Sequence, residues 1–353
     1  MKRNSAKSKK KNFRIKIIVA TLVVAIMIVV VMIGTPYVKI ISPAFKTNEV
    51  YEIFIDEKKD YDAILNQLET KSKIKNIRLF EKLALQMKYP QNIKPGRYEI
   101  KPQMNYIDLV RMLRNGNQTP LKLTFNNIRI KKDFAERIGN QLMFNQEALM
   151  NELDNPDVCK SLGFDTNTIM CMFIPNTYEV YWTITAAQFL ERMKKEHERF
   201  WTAERLKKAS EIPLSPVEVS ILASIMEEET ADRAEYPVVA GLYINRLRKG
   251  MRLEADPTIK FALGNFELRR ILYAHLDVES PYNTYRNSGL PPGPIRIPSI
   301  AGIDAVLNYS HHNYIFMAAK EDFSGRHNFA VTNAEHSRNA KKYHEALNQR
   351  NIR

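Results

Sequence analysis

The chain has 353 residues, enough for one large or two modest globular domains. Apolar residues at 44% and charged residues at 26% exclude a disordered or collagenous body, 12 glycines argue against a Gly-rich phosphate cradle or a propeller, and two cysteines cannot make a disulfide framework or a four-Cys zinc site. Of the formal net charge of +14, eight positive charges lie in residues 1–16 with no acid among them, leaving +6 for the rest, so the surplus does not point to nucleic-acid binding.

The basic tail is followed by Ile17–Ile33, 17 residues in which Thr21 is the only polar one. Carried on to Val38, a helix here rises roughly 33 Å, enough for a bilayer core of about 30 Å. Cations before a single apolar span predict an uncleaved, single-pass anchor with residues 1–16 in the cytoplasm and the chain beyond residue 38 exported. The run is longer than the apolar part of a cleaved signal peptide, and Thr35-Pro36-Tyr37-Val38 lacks the small-residue cleavage pattern.

Residues 38–48 read as a juxtamembrane linker. Alternation at Val50, Ile53 and Ile55 predicts a strand over 49–56, and helical spacing predicts helices over 61–70 and 74–87 before a second strand at 96–100. This strand–helix–helix–strand order resembles a LysM-type glycan-binding module, and residues 39–120 are assigned to it and its connection. A further helix is expected at 106–113, a strand at 120–127, and short helices at 132–142 and 146–153. A mixed α+β domain is expected over 121–353. Its helices are read at 186–200, 217–229, 237–247, 303–307 and 337–348, with a Pro-rich, rigid loop at 282–298. Ser215-Pro216-Val217-Glu218 is a capping box with proline at the first helical position, which makes 217–229 the best-formed of them.

That helix ends in Glu227-Glu228-Glu229. At about 100° per residue, Leu222, Ile225, Met226 and Ile221 lie within about 80° of Glu229, whereas Glu228 is about 100° away and Glu227 about 160°. On this wheel only Glu229 projects from the apolar stripe into the core or a cleft in its wall. Burial disfavours a carboxylate, so Glu229 is expected to have a raised pKa and to serve as a proton donor near neutrality. A core salt bridge is the other use of such a residue.

Downstream, Tyr282-Asn283-Thr284-Tyr285 combines aromatic and amide side chains, types that stack on and hydrogen-bond to sugars. Asn283, Tyr285 and Asp256 are expected to line a glycan cleft beside Glu229. The seven histidines show no ligand spacing, so no metal site is expected. Cys159 and Cys171 could pair in an exported domain or stay buried and free.

Several long motifs stand in a fixed order: Ala223–Thr230, Asn245–Thr258 (NRLRKGMRLEADPT), YNTY at 282–285, GLPPGPI at 289–295, and His327 before Phe329 followed by Glu335-His336. Together they resemble the YceG-like family of membrane-anchored endolytic murein transglycosylases. The resemblance implies that Glu229, the second glutamate of an E-x-E-T motif, is the catalytic acid. It implies cleavage of the β-1,4 bond between N-acetylmuramic acid and N-acetylglucosamine without water, leaving 1,6-anhydro ends that would terminate strand elongation. It further implies a place in the inner membrane, no cofactor, and peptidoglycan strands and their synthases as partners. The chain departs from the family pattern at Glu228, where a lysine is usual, at Glu254, where glutamine is frequent, and at Arg326, in place of the second glycine of a GGH motif. Two alternatives stand beside this reading. One is a hydrolytic muramidase with Glu227 or Asp256 as second carboxylate. The other is a tethered glycan-binding or scaffold protein without turnover.

Overall fold

The computed structural model describes residues 2–268 and 270–350, with side chains from residue 16 onward except 33 and 36. The basic side chains of the tail before Lys16 lie outside the described residues. The fold is mixed α+β, and its chain divides into two compact units, 1–121 with 181–183, and 122–180 with 184–353.

The first unit opens with α1 (Lys2–Ile41), of which Lys16–Ile41 is long and apolar enough to cross a membrane. The helix runs on through Pro36 to Ile41, beyond the point where a linker was expected. Five-residue strands β1 (Tyr51–Ile55) and β2 (Gly96–Ile100) pair antiparallel, Tyr51 opposite Ile100. Between them run α2 (Tyr61–Thr70) and α3 (Ile77–Gln86), and α4 (Tyr106–Asn115) follows. Asp60, Asn76 and Asn105 cap these three helices by accepting from backbone N–H groups of the first turn, which is why each begins where it does. Ile53, Leu68, Phe80, Tyr98 and Leu109 close the core of this unit, none of them exposed.

The second unit begins around β3 (Leu121–Phe125), which pairs with β4 (Asn176–Val180). Helices α5 (Lys131–Gly139), α6 (Gln146–Leu153) and α7 (Pro156–Ser161) lie between those strands, and α8 (Ala186–Phe200) and α9 (Ala203–Glu211) follow. Cys159 and Cys171 are both buried and free, so the pairing left open by the sequence is not made.

The functional half is built on α10 (Pro216–Glu229), started by the expected Ser215 capping box. Every residue from Val219 to Glu227 is buried. The single apolar stripe inferred from the wheel is therefore replaced by a helix enclosed on all sides. Its neighbours are α11 (Tyr236–Arg248), α12 (Asp256–Leu263) and α13 (Ile300–Leu307). The chain ends in the hairpin of β5 (Phe316–Ala319) and β6 (His327–Ala330), followed by α14 (Asn333–Gln349). Helix α11 fixes the approach to that hairpin. Asn245 Nδ2 donates to the carbonyls of His312 at 2.7 Å and Tyr314 at 3.1 Å, and Arg246 Nε donates to that of Ile315 at 2.6 Å. Gly241 permits the contact, because a Cβ there would stand 2.3 Å from the Ser310 carbonyl oxygen.

Candidate active site

The last three residues of α10 have three different fates. Glu227, the most deeply buried, turns away from any opening. Its carboxylate accepts from the Ser299 backbone N–H at 3.1 Å and from the Ser299 hydroxyl, and Arg296 Nε lies 3.8 Å away. Ser299 is the N-cap of α13, so this carboxylate sits where the helix dipole favours negative charge. Gly302 is needed beside it, since a Cβ there would fall 2.4 Å from Glu227 Oε1. The wheel's statement that Glu229 alone points into the protein is thus corrected: Glu227 also points inward, as a structural clamp. Its use as a second catalytic carboxylate is excluded, because its oxygens are occupied away from the cleft.

Glu228 is held between two guanidinium groups, Arg129 Nη2 at 2.8 Å and Arg296 Nη1 at 2.5 Å. Glu229 ends the helix and lines a cleft of about 470 Å³. Asp256 and Tyr285 open on the same space, as do Tyr243, Arg246 and Glu254. Tyr243, buried on α11, donates its phenolic hydrogen to Glu229 Oε1 at 2.8 Å. Burial pushes the Glu229 carboxyl up to about 7; the Tyr243 hydrogen bond works against that rise, and the nearby Asp256 charge adds to it. A carboxylate at a helix C-terminus is also opposed by the macrodipole. Burial, reinforced by the Glu229 charge, holds Tyr243 well above the usual tyrosine value, so the phenol keeps its proton and remains the donor.

Asp256 starts α12 and accepts from the Tyr285 hydroxyl at 2.7 Å. The loop before it is braced through Thr284. The Thr284 carbonyl accepts from Glu254 N–H at 3.2 Å, and its hydroxyl accepts from Ala255 N–H at 3.0 Å. Glu254 has φ of 51°, a left-handed conformation that strains a residue with a side chain, and its carboxylate bonds to Arg246 Nη1 at 2.9 Å.

Asn283 does not line the cleft. It is fully buried, its Nδ2 donates to the carbonyls of Leu276 and Val278, both at 2.8 Å, and its Oδ1 accepts from Tyr285 N–H at 3.0 Å. The expected sugar contact is corrected to a brace that holds the Tyr285 backbone. A short polar amide suits either task, and only the long-range fold decides between them.

The segment after Glu229 is tied to the terminal hairpin. Glu235 accepts from the His327 backbone at 2.8 Å, faces His327 Nδ1 at 2.9 Å and receives the Thr230 hydroxyl at 3.0 Å, while Arg326 Nε reaches Asp232 at 2.7 Å. His336 stacks on Phe316, ring centroids 5.3 Å apart; burial, with Arg246 nearby, lowers its pKa and keeps it uncharged near neutrality. Tyr243 escaped the sequence reading, whereas Arg246 and His336 stood within its motifs without an assigned role. For Tyr243 a signal existed, because a tyrosine within an apolar helix must find a partner for its hydroxyl. Each charge that departs from the family pattern has a local counter-charge: Glu228 with Arg129 and Arg296, Glu254 with Arg246, Arg326 with Asp232. Among the described residues no group of three or more His, Cys, Asp or Glu side chains is placed to hold a metal ion.

A carboxyl with a raised pKa, one oxygen bonded to Tyr243, in the wall of a cleft can donate a proton to a bound leaving group and take one back.

The sequence model of the YceG-like family matches residues 53–342. An endolytic murein transglycosylase of Bacillus subtilis is 37% identical over 129 residues, covering 36% of this chain and 35% of the relative. Another, from Streptococcus pneumoniae, is 23% identical over 323 residues, 82% of this chain and 57% of the relative. The chain therefore spans 35% and 57% of the lengths of these two relatives. A crystal structure of a yceG-like protein from Listeria monocytogenes superposes with a TM-score of 0.56 at 27% identity, covering 83% of this chain and 99% of that one.

Proposed function

The chain belongs to the YceG-like family, and from that premise we propose that it is an endolytic murein transglycosylase, with Glu229 as its single acid and base. The observation that carries the reading is the state of Glu229: half-buried, raised in pKa, bonded to Tyr243 through one oxygen, and lining the cleft. In the first step the neutral carboxyl gives its proton to the glycosidic oxygen between N-acetylmuramic acid and N-acetylglucosamine, and the C1–O bond breaks. The muramoyl 6-hydroxyl then bonds to C1 and its proton passes to the Glu229 carboxylate, which restores the acid. No water is consumed and the product carries a 1,6-anhydro end. An internal nucleophile removes the need for a second carboxylate to activate water. Cleavage of this kind within nascent strands would terminate their elongation.

Tyr285 and Asp256 would bind the glycan as a coupled pair. In the same proposal the first unit is the LysM-like glycan-holding module and the second is catalytic, with α1 anchoring the protein in the inner membrane, N-terminus cytoplasmic, where peptidoglycan synthases would be its neighbours. A protease outside spheroplasts should then degrade all but the tail and anchor; a protected second unit would refute that topology.

The test of the activity is mass analysis of isolated sacculi digested by the full-length protein and by Glu229→Gln. Anhydro ends are expected from the first and none from the second. Reducing ends that incorporate water would assign hydrolysis instead, with Asp256 as the remaining second carboxylate. Turnover by neither would leave a glycan-binding protein.

A further inference from the structure

Among the described residues, no strand pairs with the outward edge of β5 in the terminal hairpin. The register pairs Phe316 with Ala330 and Ala318 with Asn328, and Lys320 N–H bonds to the Arg326 carbonyl at 2.9 Å. In an antiparallel pair alternate residues turn their N–H and C=O groups towards the partner strand. Phe316 and Ala318 therefore face β6 with their backbone groups, and Met317 and Ala319 turn theirs the other way. Among the described residues those outward groups meet no hydrogen-bond partner.

Two observations place this edge on the cleft. Met317, Ala318 and Ala319 line it together with His327, which pairs with Ala319 on one face of the hairpin, and His336, which stacks on Phe316 on the other. A space that meets both faces and three consecutive residues of β5 passes round the edge of that strand. The Ile315 carbonyl, which precedes Met317 along that edge, accepts from Arg246 Nε at 2.6 Å, and Arg246 lines the same cleft as Glu229. The unpaired edge thus starts at Arg246 and runs along the wall of the space that Glu229 opens on.

We infer that the outward edge of β5 is a strand-addition site for the peptide borne by the muramoyl sugar next to the scissile bond, paired through the backbone groups of Met317 and Ala319. The inference rests on the reading of the cleft as a murein site. Murein glycan carries a short peptide on each lactyl group, so a sugar held at Glu229 brings an extended chain of amides into this cleft. A free edge offers alternating donors and acceptors with a repeat of about 3.3 Å per residue, which an extended peptide matches and a bare sugar does not. Continuity of the edge with the catalytic cleft selects this occupant over a separate protein strand.

The experiment compares the full-length protein on peptide-bearing glycan and on the same glycan stripped of peptide by an amidase. About tenfold faster anhydro-end formation on the peptide-bearing form is expected, the worth of one to two net hydrogen bonds. Ala319→Pro removes one outward N–H without touching a bond to β6, and should bring the two rates close together. Equal rates for the parent protein, or an undiminished preference in a folded Ala319→Pro, overturn the inference. Hydrogen exchange in Glu229→Gln supplies a readout without turnover. Exchange over 316–319 should slow with soluble peptide-bearing glycan and not with stripped glycan, and an unchanged rate with both overturns the site. A parent protein that yields no anhydro ends from either glycan, yet shows this protection, refutes the transglycosylase reading and keeps the peptide site.

Discussion

The Tyr243 hydroxyl donates to Oε1 of Glu229 at 2.8 Å from the interior of the neighbouring helix. Because the phenol keeps its proton, a neutral Glu229 carries its own on Oε2, the oxygen left to the cleft. Tyr243→Phe removes the donor that lowers the Glu229 pKa and leaves burial unopposed. The descending limb of the pH–rate profile should move to higher pH, while the maximal rate falls about tenfold through loss of orientation. A profile that stays in place would deny Tyr243 this role.

Glu229 also makes stability depend on pH. Its ordinary pKa is 4.5 and its folded value is about 7. Between those values the folded chain holds a proton that the unfolded chain has released, so stability present below pH 4.5 is lost as pH rises to about 7. The loss is on the order of 3 kcal/mol. Glu229→Gln has no such dependence. Melting both proteins at pH 4.5 and pH 8 should show the variant gaining on the parent at the higher pH, and a constant difference would contradict the burial of this acid.

Glu227 and Gly302 should behave as parts of one clamp. Glu227→Ala strands the Ser299 N–H and hydroxyl and brings Arg296 closer to being unpaired, at a cost of about 3 kcal/mol. Gly302→Ala pushes a methyl group into the carboxylate and should destabilise by a similar amount. Their effects should fall well short of additive in a double variant, as measured by denaturant unfolding. Full additivity would mean that the two sites are independent.

Asn283→Ala should act on the fold before it acts on the substrate. Two backbone carbonyls and the Tyr285 N–H lose their partner in a fully buried place, at about 3 kcal/mol or more. A clear drop in melting temperature is expected, and an unchanged melt with reduced turnover would restore the sugar-contact reading.

Much of the helical framework was legible because caps and apolar spacing are local. Ser215, Asp60 and Asn105 each start a helix by bonds spanning three residues. Glu229 was found on the wheel, although the stripe that singled it out does not exist in a helix buried on every side; what matters is that the chain leaves the helix there, at the cleft. The partners of Glu227 lie 72 residues on, at Ser299, and those of Glu228 at Arg129 and Arg296, so nothing local separates clamp, bridge and acid. Strands β5 and β6 were missed because four residues such as Phe-Met-Ala-Ala carry no alternation, and their pairing is set by α11 and α14. Helix α12, which Asp256-Pro257 begins with proline in the first turn, was not among the helices expected.

The Arg129–Glu228–Arg296 bridge limits how segments can be exchanged between relatives. Grafting onto this chain an acid helix with the more usual lysine at 228 would crowd three cations at the end of α10 and strip Arg129 and Arg296 of the carboxylate between them, a repulsion that loosens the segment carrying Glu229. Transplanting the two arginines alone into a lysine-bearing relative creates the same conflict from the other side. Glu228 and its two arginines therefore form one inheritable cassette, and chimaeras should remain active only when all three travel together.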